Sequence, residues 1–264
     1  MSSLSNNAVR VVQVTDPRIG ETEAFSLAGV NTLQSFEAVM QALEACEYEL
    51  LAVTGDIAAE GAWGAYRLFA EVMSKSRVPF AWLPGNHDRF DVMCEQIASQ
   101  PFRESLDFAN WRLLFLNSAV SGQVAGWLDD SQFALLHSAI NSDDDKSIAI
   151  FIHHPPSPVG CDWLDKQRVS NSEQLADLLK GCKKVKAIFT GHVHQESQCY
   201  WHGIPVYTSP STCVQFAENS AEFSLSNKGP GYRWIDFLDD GQLKTGVRYI
   251  VAEGQTVDQT CMGY

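Results

Sequence analysis

The sequence predicts an α/β protein built on parallel strands. Apolar runs of strand length, each closed by a polar tip, alternate with longer segments whose apolar residues recur at helical spacing. Several of these runs are apolar almost throughout, as expected of strands covered on both faces. Residues 9–15 (VRVVQVT) are the first, ending at Asp16. Residues 20–28 read as a loop. Asn31 is placed to cap a helix running to about Glu47, with Leu33, Phe36, Val39, Met40 and Leu43 at helical spacing. Residues 50–54 form the second run and end on Gly55-Asp56. Residues 63–73 are helical again and should bury Trp63, Tyr66, Leu68, Phe69 and Val72. The third run, 78–83, leads into Pro84-Gly85-Asn86-His87-Asp88. Three strand–turn–helix units in succession imply parallel strands joined by helical crossovers.

The second half continues the pattern and then changes it. Residues 111–116 read as a strand, 131–140 as a helix begun by Asp129 and Asp130, and 141–146 as an acidic turn. A strand over 147–152 ends on His153-His154-Pro155-Pro156. A helix over 172–179 is closed by Gly181, and a strand over 185–190 ends on Gly191-His192-Val193-His194. From about residue 198 the chain is β-rich, with strands expected at 199–201, 204–208, 221–225, 231–238 and 243–250. Asp239-Asp240-Gly241 is a hairpin turn. The polar tail, 254–264, is expected to be mobile. With no internal repeat or linker, residues 1–264 read as a single domain.

Composition narrows the function. A chain of 264 residues, 45% hydrophobic and 19% charged, can bury a sizeable core. Its net charge of -13 argues against nucleic acid or an anionic membrane surface as partner. An anionic small substrate would need local compensation for that charge, which bound cations could supply. The seven cysteines are scattered and form no C-x-x-C pair, which suits reduced thiols in the cytoplasm. Residues 1–10 lack the apolar stretch of a secretory signal, and no run is long enough to span a membrane.

The chemistry sits at the strand tips. Asp16, Asp56, Asn86-His87, His153-His154 and His192/His194 all follow apolar runs, and in open α/β sheets sites form beyond the carboxyl ends of strands. Carboxylate, amide oxygen and imidazole together suit manganese, iron or zinc better than calcium. A carboxylate shared between two cations about 3.5–4 Å apart is the usual two-metal arrangement.

Gly55-Asp56, Gly85-Asn86-His87-Asp88, His153-His154-Pro155 and Gly191-His192-Val193-His194, in this order after an N-terminal strand and Asp16, resemble the calcineurin-like metallophosphoesterase superfamily. Within it, Leu27-Ala28-Gly29-Val30-Asn31-Thr32 and Gly229-Pro230-Gly231-Tyr232-Arg233-Trp234 are similar to the bacterial class III cyclic-AMP phosphodiesterases of the CpdA type. The resemblance implies a four-layer αββα sandwich, two metal ions (iron or manganese), a cyclic-nucleotide substrate and hydrolysis of 3',5'-cyclic AMP to AMP. It also leaves a homodimer open as the assembly. Asp56 would bridge both ions; Asn86, His153 and His192 would complete the second site, and Asp16 and His194 would hold the first. Asn86, His87, His194 and Arg18 would face the substrate, with His87 protonating the leaving alkoxide or steadying charge on the phosphoryl oxygens.

One position departs from the resemblance. The expected Asp-x-His reads Asp16-Pro17-Arg18 here, and a guanidinium has no lone pair to give a metal. Either Asp16, Asp56 and His194 suffice as three ligands, or Arg18 fills the place and pairs with Asp16 or with the substrate phosphate. An arginine facing away from the cleft is the bland alternative. Two rivals to the cyclic-AMP enzyme follow: a nucleotide-binding regulatory protein crippled by Arg18, and a phosphoesterase acting on another nucleotide or a phosphomonoester. His154 is expected to orient rather than ligate. His137 and His202 read as structural, and Asp143-Asp144-Asp145 as a solvated turn. Asp88 should either cap a helix or hold His87.

Overall fold

The computed structural model describes residues 8–263, so most of the leader reading over residues 1–10 lies outside the described residues. In chain order the first half contains β1 (Ala8–Val14), the short pair β2 (Ser26–Leu27) and β3 (Val30–Asn31), α1 (Thr32–Leu43), β4 (Leu50–Thr54), α2 (Trp63–Met73), β5 (Phe80–Leu83) and α3 (Phe90–Gln96). Then come β6 (Ser105–Phe108), β7 (Trp111–Leu116), α4 (Asp130–Ile140), β8 (Ser147–Ile152), α5 (Ser172–Leu179), β9 (Val185–Thr190), β10 (Ser197–Trp201) and β11 (Ile204–Thr208). The small pair β12 (Gln215–Phe216) and β13 (Leu225–Ser226) precedes the hairpin β14 (Gly231–Leu238) and β15 (Leu243–Tyr249).

Two sheets face each other. One runs β15-β14-β1-β4-β5, the other β10-β11-β9-β8-β7-β6. The expected crossovers appear as parallel pairing of β1 with β4 and of β4 with β5. In the second sheet β7, β8, β9 and β11 are parallel, with β6 and β10 antiparallel at the edges. The C-terminal hairpin returns to the first sheet, where β14 lies antiparallel to β1.

Alternation along the strands decides the layers. Val11, Leu50, Ala52 and Ala81 point between the sheets and meet Trp111, Phe115, Phe151 and Phe189. Val12, Val14, Leu51 and Val53 point the other way, against Phe36, Val39, Leu68 and Phe69 of α1 and α2. On the far face of the second sheet, Leu114, Ile150 and Ile188 pack on Leu136 of α4 and Leu175 of α5. The result is the αββα sandwich, and it explains the near-continuous apolar runs, because the central strands are buried on both faces.

Several expectations need correcting. The strand expected at 221–225 is absent; only Leu225–Ser226 pairs, with Gln215–Phe216. Phe223 instead packs its ring on Phe216 and Trp163, so its side chain and not its backbone fixes that stretch. Trp63 is 54% exposed and lies outside the core. Helix α1 starts as expected, with Asn31 Oδ1 accepting from Gln34 N, but ends at Leu43. Strand β6 and helix α3 carried no clear sequence pattern. The tail is docked through Asp258 N, which donates to Ala28 O, and Gln255 Nε2, which donates to Asn31 O.

Candidate metal centre

The tips of β1 and β4 are laced together by their backbones. Asp16 N donates to Gly55 O (3.0 Å), Arg18 N to Asp56 O (3.0 Å) and Ile19 N to Ile57 O (2.9 Å). Asp16, Arg18, Asp56, His192 and His194 all take left-handed φ, between 47° and 66°. Such backbone is costly for residues with a Cβ and persists only where its surroundings enforce it. Gly85 permits the close approach: a Cβ there would lie 2.1 Å from Asp56 Oδ1.

Each donor side chain is held through its other atom. Asp16 Oδ2 accepts from the Thr15 hydroxyl (2.6 Å) and from His192 N (3.0 Å), leaving Oδ1 facing the cleft. Asp56 Oδ1 accepts from His87 N at 2.9 Å. His153 Nδ1 donates to Thr54 O at 2.8 Å, which fixes the tautomer of the neutral ring and makes Nε2 its lone-pair nitrogen. That Nε2 sits 3.5 Å from Asp56 Oδ2 and 3.9 Å from Asp16 Oδ1. His194 Nδ1 likewise donates to Val214 O at 2.7 Å, its ring stacks on Phe216, and its Nε2 is 3.2 Å from Asp16 Oδ1.

Four of the buried side-chain atoms without a hydrogen-bond partner are lone-pair atoms of the strand-tip residues: Asp16 Oδ1, Asn86 Oδ1, His153 Nε2 and His192 Nε2. Buried acceptors are normally satisfied, so a set of orphans of this chemistry fits a cation. Ligand atoms of Asp16, Asp56 and His153 lie within 4.8 Å of one another, as do those of His153, His154 and His192. Asn86 sits between Gly85 and His87, both of which touch Asp56. His154 is not a free donor in this group: Nδ1 accepts from Ser118 Oγ (2.8 Å) and Nε2 donates to Val124 O (3.0 Å).

The charges are interdependent. Burial alone would pull the His153 imidazole down, but Asp56 and Asp16 outweigh it and raise its pKa to about 9. Burial would likewise push Asp56 up, yet His153 and His87 hold it well below the usual carboxylate range. Asp16 is held down by His194 and His153 against its burial. His87 is lowered, chiefly by burial and against the pull of Asp56, while its Nδ1 donates to Ala59 O at 3.0 Å.

Two expectations change at this centre. Arg18 is buried, 2% exposed, so it does not face away; its Nη1 pairs at 2.8 Å with Asp56 Oδ2 rather than with Asp16. Asp88 neither caps α3, whose N-cap position is Arg89 with no side-chain cap bond, nor holds His87, whose Nδ1 is on Ala59 O. Its carboxylate gathers Ile57 N, Ala58 N, Gly85 N and the Tyr66 hydroxyl, joining the β4 and β5 tips. Sequence reasoning also missed Ser211 and Val214, whose stretch braces the centre: Ser211 Oγ donates to Asp16 O at 2.8 Å. The polar run Ser209-Pro210-Ser211-Thr212, fully buried after an apolar strand, is the signal that could have found it.

Residues 9–196 match the calcineurin-like phosphoesterase family. The chain is 34% identical over 260 residues to the 3',5'-cyclic adenosine monophosphate phosphodiesterase CpdA of Pseudomonas aeruginosa, covering 97% of this chain and 96% of that protein. Its counterpart of the same name from Escherichia coli (strain K12) is 33% identical over 261 residues, covering 97% and 95%. Among solved structures, a dimetal phosphatase from Danio rerio shares the fold with a TM-score of 0.65 at 13% identity, covering 91% of this chain and 99% of that one.

Proposed function

We propose, since this chain belongs to the calcineurin-like phosphoesterase family, that it is a metal-dependent phosphodiesterase converting 3',5'-cyclic AMP to AMP. The observation that carries the reading is the set of buried, unsatisfied donor atoms at the strand tips, in a chain a third identical to proteins named for that activity. In this reading Asp56, Asn86, His153 and His192 hold a transition-metal ion, with iron or manganese best suited to mixed carboxylate, amide and imidazole donors. A cation held by these residues would supply polarisation of the phosphoryl oxygens and a lowered pKa for an attacking water.

The remaining work falls to the chain. Thr54 O keeps the His153 lone pair on Nε2. Ala59 O holds the Nδ1 proton of His87, so Nε2 is the nitrogen that gains and gives the catalytic proton. His87 is lowered in the free protein, and the negative charge of a bound phosphate raises it, so the substrate itself arms the acid. His87 then donates to the ribose oxygen as its bond to phosphorus breaks, which spares the release of a strongly basic alkoxide. Arg18, held on Asp56, adds a planar guanidinium of the shape and charge suited to phosphate oxygens.

No helix among the described residues is long and apolar enough to cross a membrane. All seven cysteines are free thiols, which supports the reducing cytoplasm as the compartment. Turnover is the test. Protein loaded with Mn²⁺ or Fe²⁺ should hydrolyse cyclic AMP and bis(4-nitrophenyl) phosphate. His87→Ala should lower kcat by roughly 10²–10⁴-fold with metal content unchanged. Metal-loaded, folded protein that binds the nucleotide and turns over neither substrate would overturn the reading.

A further inference from the structure

We infer that Arg18 stands in for the first of the two cations, so that this chain binds a single metal ion beside a fixed guanidinium. The inference rests on the reading that Asp56, Asn86, His153 and His192 hold a cation.

The donor set at the first position does not fit a metal. Arginine brings no lone pair, so Asp16, His194 and a share of Asp56 are all that remain. The share of Asp56 is already committed. Its Oδ2 lies 2.8 Å from Arg18 Nη1 on one side and 3.5 Å from His153 Nε2 on the other. Its Oδ1 accepts from His87 N. The oxygen that would bridge two cations thus bridges a guanidinium and the second position. Removing Asp56 leaves only Asp16 and His194, fewer than the three protein ligands of ordinary catalytic metal sites.

Charge points the same way. Asp16 and Asp56 contribute two negative charges and Arg18 one positive, which leaves a net of one negative charge where the two carboxylates alone would offer two to a pair of cations. Arg18 and Asp56 side chains are 3% and 2% exposed, so water does little to screen a second dication from the guanidinium. Nor is the pair incidental. Arg18 N donates to Asp56 O, and both residues take left-handed φ (54° and 50°), so backbone and side chain enforce the same contact.

The experiment titrates the purified full chain with Mn²⁺, counting bound ions per chain and recording the electron paramagnetic resonance spectrum. The native chain should bind one ion with the spectrum of isolated Mn²⁺. Arg18→His, shown folded by circular dichroism, should bind two with an exchange-coupled spectrum. His194→Ala should still bind one ion, with Kd within a few-fold of the native chain, and keeps the inference falsifiable even if Arg18→His does not fold. A coupled pair in the native chain overturns the inference, as does Arg18→His remaining at one ion or His194→Ala losing its ion. A chain that binds one ion yet fails to hydrolyse cyclic AMP upholds the inference and counts against the proposed activity. Failure of the native chain and Arg18→His alike to bind any ion overturns both.

Discussion

His154 shows how little a residue's type says about its job. It directly follows His153, and its ring lies 4.9 and 4.7 Å from those of His153 and His192, yet both of its nitrogens are engaged, by Ser118 and Val124. Burial, reinforced by the neighbouring His153, pushes its pKa down to about 3. A depressed folded-state value means stability that is present above the unfolded value near 6.5 and is lost as pH falls toward 3. Unfolding free energies from urea titrations should therefore decline from pH 6.5 to 4.5, by at most about 1.4 kcal/mol per pH unit from this group. His154→Gln should flatten that decline; an unchanged slope would show that His154 is not its source. Asp88 is the second such residue. Its carboxylate serves four donors, so Asp88→Ala should cost roughly 3 kcal/mol in chemical denaturation, through buried N–H groups left without acceptors. That role was not legible in the sequence, because three of the four donors, Ile57 N, Ala58 N and the Tyr66 hydroxyl, come from two other segments. The metal-type donors were legible, since Asp16, Asp56, Asn86, His153 and His192 are poor packing material immediately after apolar runs.

At the scale of elements, the active ends are strand tips bent through left-handed backbone and interleaved with glycines. Gly55 has φ +93°, and a Cβ there would meet His153 Nδ1 at 2.5 Å, the atom that donates to Thr54 O. Gly55→Ala should cost roughly 1–3 kcal/mol from backbone strain and weaken Mn²⁺ binding at least tenfold by turning His153. Calorimetric metal affinity indistinguishable from the native chain would refute that link. The strand runs themselves were legible from their apolar continuity. Helix α3 and strand β6 were not: only Val92 and Met93 are buried in the first, and the second is a half-exposed edge. The stretch 221–225 misled in the opposite sense, because Phe223 serves a ring cluster around Trp163 and Phe216 and only Leu225 enters a ladder.

For the whole molecule, the seam between the sheets holds the two sets of tips in register. Phe189 stacks on Phe151 and Tyr207 within its own sheet and meets Phe237 of the other edge to face. Phe189→Ala should cost about 3–5 kcal/mol and, for a chain of this size, lower Tm by about 2–4 °C per kcal/mol. A Tm loss below about 3 °C would mean the seam repacks. The tips of the first sheet carry Asp16, Asp56 and Asn86, and those of the second carry His153 and His192, so the candidate metal centre is assembled only while the sandwich is closed.

By itself the sequence determined the alternation of strands and helices, the chemistry of the donors and the absence of a ligand at Arg18, all properties carried by neighbouring residues along the chain. Only the tertiary structure decided that Arg18 reaches Asp56 rather than Asp16, that His154 is already satisfied, and that Asp88 joins two tips. The reason is physical: periodicity and lone pairs are local, whereas the partner of a buried charge is set by which segments packing brings within about 3 Å of it.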